Sequence, residues 1–284
     1  MIHIEDVSSV RAAVRDARKG ALPVRFVPTM GALHAGHAAL FRAARAAGGF
    51  VVASIFVNPT QFGPTEDFTR YPRTPEADAA LAAEAGVDAL WSPRGDELYP
   101  DGESTRISVG ALAACWEGAF RPGHFDGVAT IVAKLLQATS ADVLYLGEKD
   151  FQQTVVLRRM VRDLLIPAEI VVVPTVREPD GLALSSRNRY LSADERRAAT
   201  TISRALRGTA DRAAAGERDA TVLRGLLHAV IGAEPGLRLQ YADVVDPATL
   251  VTVDRLDAPA RAIVAAHAGS TRLIDNLALV PPTS

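Results

Sequence analysis

The sequence has little cysteine, little net charge and no long hydrophobic run. Its single cysteine, Cys115, excludes an intrachain disulfide, favours a reducing compartment and is expected to pack as a small apolar residue. No uninterrupted apolar run reaches the roughly 20 residues that a membrane helix needs. The net charge is −2, from 31 basic and 33 acidic residues, so no overall positive field attracts nucleic acid or a membrane surface.

The first part of the chain also lacks the features of a targeting segment. Residues 1–20 carry charges of both signs and no apolar core, unlike a signal peptide. We therefore predict a cytoplasmic protein that binds neither nucleic acid nor membrane. Any anion that it binds must be met by a local cluster of polar groups.

The order of apolar segments predicts two domains in the 284 residues. Up to Tyr190, buried strands alternate with helices, which is typical of an α/β domain with a Rossmann-like, doubly wound parallel sheet. Two helices and then three strands follow without alternation, which indicates a smaller α+β domain. We predict the first domain over 1–176 and the C-terminal α+β domain over 177–284. The predicted strands are 24–27, 50–57, 87–91, 106–109, 142–146, 169–173, 239–245, 262–267 and 272–279.

The stretch 28–37 carries the pattern His-x-Gly-His between a predicted strand and a predicted helix. Gly31 and Gly36 let the backbone approach a ligand, and a helix N-terminus offers unpaired N–H groups to an anion. His34 and His37 lie near that end of the helix. A lone histidine there is more often a cap or a packed side chain, but the pattern resembles the signature of nucleotidyltransferases related to class I aminoacyl-tRNA synthetases. It predicts a phosphate site.

Polar residues also follow two other predicted strands. Asn58 and Gln61 come after the strand 50–57, and Lys149 and Asp150 come after 142–146. Gln153 lies one turn into the next predicted helix. Ligands of open α/β sheets bind at the carboxyl ends of the strands, so these side chains are candidates for a binding site. Taken alone, Asn58 and Gln61 are also common turn formers, and charged residues are usually solvated.

Two weaker motifs lie in predicted loops. Ser185, Ser186 and Arg187 combine hydroxyl donors with a guanidinium fork, a combination that suits a phosphate. Arg121 and His124 place a cation and an imidazole in a glycine-containing loop, for which a solvated loop and a functional role are equally good interpretations. A tight turn is expected at 180–181, and 192–195 has the pattern of a helix capping box.

Taken together, the motifs resemble those of the pantothenate synthetase family, the pantoate–β-alanine ligases, over almost the whole chain. The matching stretches are 28–34, 54–62, 121–125, 147–150, 174–178, 185–188 and 271–276. The resemblance implies an ATP- and pantoate-binding Rossmann-like domain and a C-terminal lid domain. It also implies that pantoate and β-alanine are joined through a pantoyl-adenylate intermediate, with AMP and pyrophosphate as the other products.

The resemblance further implies the roles of individual residues. His34, His37, Lys149 and Arg187 would be catalytic, acting on the charge of the departing pyrophosphate. The residues implied to bind ATP are Met30, His34, Gly36, His37, Gly147, Lys149, Asp150, Val176, Leu184, Ser185, Ser186 and Arg187. The residues implied to bind pantoate are Met30, Asn58, Gln61, Val128, Ile131, Val132 and Gln153.

The resemblance also implies Mg²⁺, held mainly through phosphate oxygens and water, and a homodimer. No protein ligand of the metal is assigned, because Glu76 and Asp78 are nearby acids only in sequence. Two positions depart from the family pattern. Leu184 stands where many members have methionine and Leu146 where an aromatic residue is common, and both exchanges reshape a pocket wall only modestly.

Two other functions fit parts of this pattern. The same scaffold could transfer a nucleotide to a phosphorylated acceptor, but further lysines or arginines would then be expected beside Gln61 and Gln153. A catalytically silent nucleotide-binding protein would be expected to lack one of the four residues implied to be catalytic, and all four are present.

Overall fold

The computed structural model describes residues 1–64 and 66–282, and the chain divides into two compact units. The first unit comprises Met1–Glu148 and Val156–Pro174, and the second comprises Lys149–Val155 and the chain from Thr175 onward. The domain boundary at 176/177 stays a prediction, and Thr283 and Ser284 of the predicted second domain lie outside the described residues.

The first unit is built on a six-stranded parallel sheet with the strand order β1-β4-β3-β2-β5-β6. The strands are β1 (Ile2–Ile4), β2 (Val24–Thr29), β3 (Phe50–Ile55), β4 (Ala89–Trp91), β5 (Val143–Gly147) and β6 (Glu169–Val173). The helices are α1 (Val7–Lys19), α2 (Ala35–Ala46), α3 (Pro75–Glu84), α4 (Gly95–Leu98), α5 (Ala111–Ala114), α6 (Glu117–Phe120), α7 (His124–Thr139) and α8 (Phe151–Asp163), whose first residues belong to the second unit.

The central strand β3 shows why the sheet is covered on both faces. Successive strand residues point to opposite faces, so an almost continuous apolar strand needs a core on each side. Val52 packs with α1 and α7 residues in one core, whereas Val51 and Ala53 pack with α2 and α3 residues in another. All three side chains are fully buried. The doubly wound α/β prediction is therefore confirmed.

One strand prediction in this unit was wrong, and one strand was missed. Residues 106–109 form no strand, because the Ile107 N–H donates to Thr130 Oγ1 (2.9 Å) instead of to a neighbouring strand. Two short helices, α5 and α6, follow this segment, with Trp116 between them at φ 45°. The edge strand β1 was missed, since three residues are too few to show an alternating pattern.

The second unit contains two helices and a three-stranded antiparallel sheet, as predicted. Its elements are α9 (Ala193–Ala214), α10 (Ala220–Gly232), β7 (Leu237–Val245), β8 (Ala260–Ala268) and β9 (Thr271–Leu279), with the strand order β7-β8-β9. The capping box is confirmed, because Glu195 N donates to Ser192 Oγ (3.3 Å) and Ser192 N donates to Glu195 Oε2 (2.8 Å). Across residues 1–64 and 66–282, none of the helices is long and apolar enough to span a membrane.

Candidate active site

The turn after β2 is held in place by a buried carboxylate. Gly31 and Ala32 both have left-handed backbone, at φ 81° and φ 50°. Asp78 accepts the Ala32 N–H (2.9 Å) and the Leu33 N–H (2.7 Å), and its Oδ1 also accepts the Thr74 hydroxyl (2.9 Å). Asp78 is 2% exposed. Because Asp78 accepts three hydrogen bonds, it has a structural role in this turn. Its position in the sequence gave no sign of that role.

The two histidines of the His-x-Gly-His motif cap the helix α2 that follows this turn. His34 Nδ1 accepts the Gly36 N–H (3.1 Å), and His37 Nδ1 accepts the His34 N–H (3.2 Å). The two ring centroids lie 4.1 Å apart. A neutral imidazole whose Nδ1 accepts carries its proton on Nε2, so each ring has an Nε2–H donor. Capping uses Nδ1 of each ring, whereas anion binding would use Nε2–H. The two interpretations of these histidines are therefore compatible.

A second cluster of the first unit brings together three residues that were predicted to bind pantoate. Asn58 Nδ2 donates to Gln61 Oε1 (3.0 Å), and Gln61 Nε2 lies 3.0 Å from Met30 Sδ. The Asn58 amide is oriented in turn by the Tyr99 hydroxyl, which donates to Asn58 Oδ1 (2.7 Å). Asn58 is 1% exposed. Asn58 therefore fixes the orientation of the Gln61 amide, with Oε1 as acceptor and Nε2 as donor. A direct contact between Asn58 and substrate stays a prediction.

The helix α7 packs tightly against the 3₁₀ turn Pro59–Gln61 that holds this cluster. A Cβ at Gly127 would lie 2.8 Å from Gln61 N and closer still to the Thr60 carbonyl, so only glycine permits this approach. The same helix carries the predicted apolar wall of the pantoate site. The wall residues, which are all buried, are Val128, Ile131 and Val132.

Arg121 is half-buried and His124 is buried, and both side chains contact the main chain of Gln61, although residues 122–123 between them are exposed. Arg121 holds both carboxylate oxygens of Glu66, at 2.7 and 2.6 Å. His124 Nδ1 donates to the Gln61 carbonyl (2.8 Å), and its Nε2 lies 3.1 Å from Arg121 Nη1. Burial, followed by the charge of Arg121, lowers the pKa of His124 to about 4. The ring is therefore neutral, with its proton on Nδ1.

This histidine makes the stability of the protein depend on pH. Because the pKa of His124 is lower in the folded chain than its ordinary 6.5, the unfolded state binds more protons between pH 6.5 and 4. We expect the free energy of unfolding to fall by about 3 kcal/mol from this group across that window, and to be unaffected by it above pH 6.5. Urea unfolding of His124→Gln should show a shallower pH dependence, whereas His3→Gln, at an exposed position, should match the parent. Equal slopes for parent and His124→Gln would contradict the assignment.

In the second unit, the predicted Lys149 and Asp150 lie in a short 3₁₀ turn, Glu148–Asp150. Lys149 Nζ lies 3.6 Å from Asp150 Oδ1, and the Lys149 carbonyl accepts from Asn276 Nδ2 (3.0 Å). The Lys149 side chain is 21% exposed. The ammonium is therefore only partly shielded from solvent, and its contact with ATP stays a prediction. Gln153 is half-buried on the first turn of α8, and Gly147 is the last residue of β5.

The predicted turn at 180–181 closes a small hairpin in front of the serine–arginine motif. Leu184 N donates to the Val176 carbonyl (3.0 Å), Glu178 N donates to the Leu182 carbonyl (2.9 Å), and Gly181 occupies the left-handed region at φ 92°. Two residues predicted to bind ATP, Val176 and Leu184, are thus paired through their main chains. The turn prediction is confirmed.

The Ser185–Arg187 motif follows this hairpin directly. Ser185 Oγ accepts the Arg187 N–H (3.3 Å) and caps the 3₁₀ helix Ser186–Tyr190. All three side chains of the motif are half-buried. The hairpin and cap order the two hydroxyls and the guanidinium that sequence analysis identified, and their binding to phosphate stays a prediction.

Sequence analysis missed the ion pairs that hold the hairpin before the Ser185–Arg187 motif. Arg177 forms a fork on Asp275, at 2.7 and 2.9 Å, and Arg196 holds Glu178 at 3.0 and 2.7 Å. Arg177, Glu178 and Asp275 stand within matching family motifs, but no role was derived for them. Their partners are 98 and 18 residues away in sequence. No signal short of the fold could have paired them.

Comparison with known proteins agrees with this arrangement. A family model described as pantoate-beta-alanine ligase matches residues 2–278. The pantothenate synthetase of Acidobacterium capsulatum is 53% identical over 290 residues, which cover 98% of this chain and 97% of that protein. The enzyme of the same name from Moorella thermoacetica is 49% identical over 276 residues, which cover 97% of this chain and 98% of that protein.

Solved structures give the same result. The crystal structure of pantothenate synthetase from Thermus thermophilus has a TM-score of 0.93 and 50% identity, covering 99% of this chain and 100% of that one. Pantoate-beta-alanine ligase from Francisella tularensis, complexed with beta-gamma ATP and beta-alanine, has a TM-score of 0.82 and 37% identity, with 98% and 97% coverage. Since the family model and these relatives extend over nearly the whole chain, the protein belongs to the pantoate–β-alanine ligase family.

Proposed function

We propose that this enzyme joins pantoate to β-alanine at the expense of ATP, through a pantoyl adenylate, and releases pantothenate, AMP and pyrophosphate. The observation that carries the proposal is the capping by His34 and His37, in which each Nδ1 accepts a main-chain N–H and each ring therefore carries its proton on Nε2 at the start of α2. Family membership supports the substrates, and the Francisella tularensis relative was solved with an ATP compound and β-alanine.

In the first step, a carboxylate oxygen of pantoate forms a bond to the α-phosphorus of ATP, and the bond from that phosphorus to the bridging oxygen breaks. Negative charge moves onto the departing pyrophosphate, so preorganised donors and cations bind more strongly as the reaction proceeds. We assign this role to His34, His37, Lys149 and Arg187. The hydroxyls of the serine pair would add single hydrogen bonds to phosphate oxygens.

The pantoate would be held by amides and an apolar wall. Because Asn58 occupies Gln61 Oε1, the Gln61 amide offers N–H donors, which suit the carboxylate or hydroxyl oxygens of pantoate. Gln153 would supply a second amide. Met30 and the buried valines and isoleucine of α7 would contact the methyl groups.

In the second step, the neutral amine of β-alanine attacks the acyl carbon of the adenylate, the acyl–phosphate C–O bond breaks, and AMP leaves with the bonding electrons. As the amide forms, the nitrogen releases one proton to water. No protein nucleophile is needed, so the enzyme would act by positioning, for which effective molarities of about 10⁵ M or more are attainable.

Magnesium would enter this site together with ATP. Among the residues that the structure describes, no group of three or more His, Cys, Asp and Glu side chains is placed to hold a metal ion. The Mg²⁺ would be bound mainly by phosphate oxygens and water, where it would neutralise phosphate charge. The homodimer and the cytoplasmic location stay predictions.

Pyrophosphate release from ATP, Mg²⁺ and pantoate, with and without β-alanine, tests the proposed function. We expect a burst of about one equivalent per active site without the amine, and steady production of AMP and pyrophosphate with it. 2-Hydroxyisovalerate, which is pantoate without its hydroxymethyl group, serves as a control acid and should give a weaker burst. No pyrophosphate from folded protein would refute the proposal and favour a nucleotidyltransferase with another acceptor or a silent nucleotide-binding protein.

A further inference from the structure

Two adjacent residues of β9, Asp275 and Asn276, have no role in the chemistry described above, although they end the motif 271–276. Both residues are buried, with exposures of 5% and 4%. In the sheet register Asp275 lies opposite Val264 and Asn276 opposite Ile263. Successive strand residues point to opposite faces, so the two side chains serve different sides of the sheet.

Asn276 holds the segment that carries Lys149. Its Nδ2 donates to the Lys149 carbonyl at 3.0 Å. Arg261, two residues from Ile263 on β8 and therefore on the same face as Asn276, places its guanidinium 4.5 Å from the centre of the Phe151 ring. The β8–β9 surface thus fixes the chain on both sides of Asp150.

Asp275 holds the hairpin that leads to the serine–arginine motif. Its two oxygens accept the Arg177 guanidinium at 2.7 and 2.9 Å, and Arg177 Nη1 also donates to the Gly181 carbonyl (3.1 Å). Asp275 Oδ1 accepts the Asn276 N–H as well (2.8 Å). A bidentate arginine fork is a geometrically specific contact, so it fixes the hairpin in orientation as well as in distance.

We propose that Asp275 and Asn276 are positioning residues, which hold the Ser185–Arg187 motif and Lys149, respectively, as preformed donors for the phosphates of ATP. The inference rests on the proposed function, since it assigns the two motifs to one nucleotide. A cation that is held in place needs no reorganisation as charge develops on the leaving group, whereas a loosened cation does. Asp275 and Asn276 act through the residues they hold and touch no substrate.

The test uses Asn276→Asp, which keeps the size of the side chain but removes the donor to Lys149. We expect its kcat for pantoate-dependent exchange of pyrophosphate with ATP to fall about tenfold or more, the scale of a small misplacement, with KM for pantoate unchanged. Attack of β-alanine on preformed pantoyl adenylate should be affected much less. Because Asn276 acts through Lys149, the double variant with Lys149→Ala should be no slower than Lys149→Ala alone.

Asp219→Ala is the matched control, because it removes the cap of α10 in the same unit without touching either motif. Its kcat should equal that of the parent, although its thermal stability should fall by a similar amount to that of Asn276→Asp.

Arg177→Lys is a second test variant, which keeps the positive charge but loses the bidentate contact with Asp275. It should lower kcat in the same way as Asn276→Asp, and it provides the test if Asn276→Asp does not fold. The inference is overturned if these variants behave like Asp219→Ala, or if the losses from Asn276→Asp and Lys149→Ala multiply. The parent enzyme is assayed first, and absence of pantoate-dependent exchange there refutes the proposed function instead.

Discussion

Replacing Lys149 with alanine is expected to lower the rate of adenylate formation by roughly 10²-fold or more, the scale for one preorganised contact to a developing charge. The ammonium lies near one carboxylate at 3.6 Å and its own main chain is fixed by Asn276. Because the charge on pyrophosphate is greatest in the transition state, kcat and kcat/KM should fall together. Single-turnover formation of pantoyl adenylate measures the effect directly.

Lys19→Ala supplies the control for this prediction. Lys19 is one of the other lysines of the chain, its side chain is 80% exposed, and its ammonium pairs with Asp16 at 2.7 Å. Its removal should leave the adenylation rate within about twofold of the parent, since exposed pairs contribute little. If Lys149→Ala turned over at the rate of the Lys19 variant, Lys149 would have no place in the mechanism.

Replacing Asp78 with alanine is expected to destabilise the protein by about 3 kcal/mol or more and to abolish most activity. The change leaves two main-chain N–H groups, of Ala32 and Leu33, without their acceptor, and each such buried group costs about 1–3 kcal/mol. The left-handed backbone at Ala32 also loses the contact that stabilises it. His34, two residues further on, should then lose its fixed position.

Urea unfolding and the pyrophosphate assay measure these two effects separately. Glu76→Ala is the matched variant, because Glu76 is an acid in the same first turn of α3 but is exposed. It should change the urea midpoint and the activity only slightly. Equal midpoints for the Asp78 and Glu76 variants would contradict the role of Asp78 as the anchor of the turn.

The sequence predicts the fold well where a pattern is local. The apolar run at β3 predicts a strand that is covered on both faces, and Ser192 with Glu195 predicts the start of α9, because each signal lies within a few residues. The strand expected at 106–109 failed because Ile107 bonds to a side chain 23 residues away. Such a partner leaves no trace in the local pattern.

In the candidate site, too, the residues that were predicted belong to local patterns, and those that were missed act over long distances in sequence. His34 and His37 were identified because their spacing and the turn before them are contiguous in sequence. The anchors of the site were missed, because Asp78 reaches back 46 residues to Ala32, and Asp275 reaches 98 residues to Arg177. An isolated aspartate on a helix or strand carries no signal of the N–H groups or guanidinium that it will meet in the folded chain.

The distance along the chain between Lys149 and Asn276 has a consequence for biosynthesis. The two residues are 127 positions apart, so at about 5–20 residues per second the ribosome adds Asn276 roughly 6–25 s after Lys149. All six strands of the parallel sheet have been made by residue 173. A nascent chain arrested between β6 and β9 therefore contains every strand of the first unit but lacks Asn276, so the contact of Asn276 with the Lys149 carbonyl forms only late in translation.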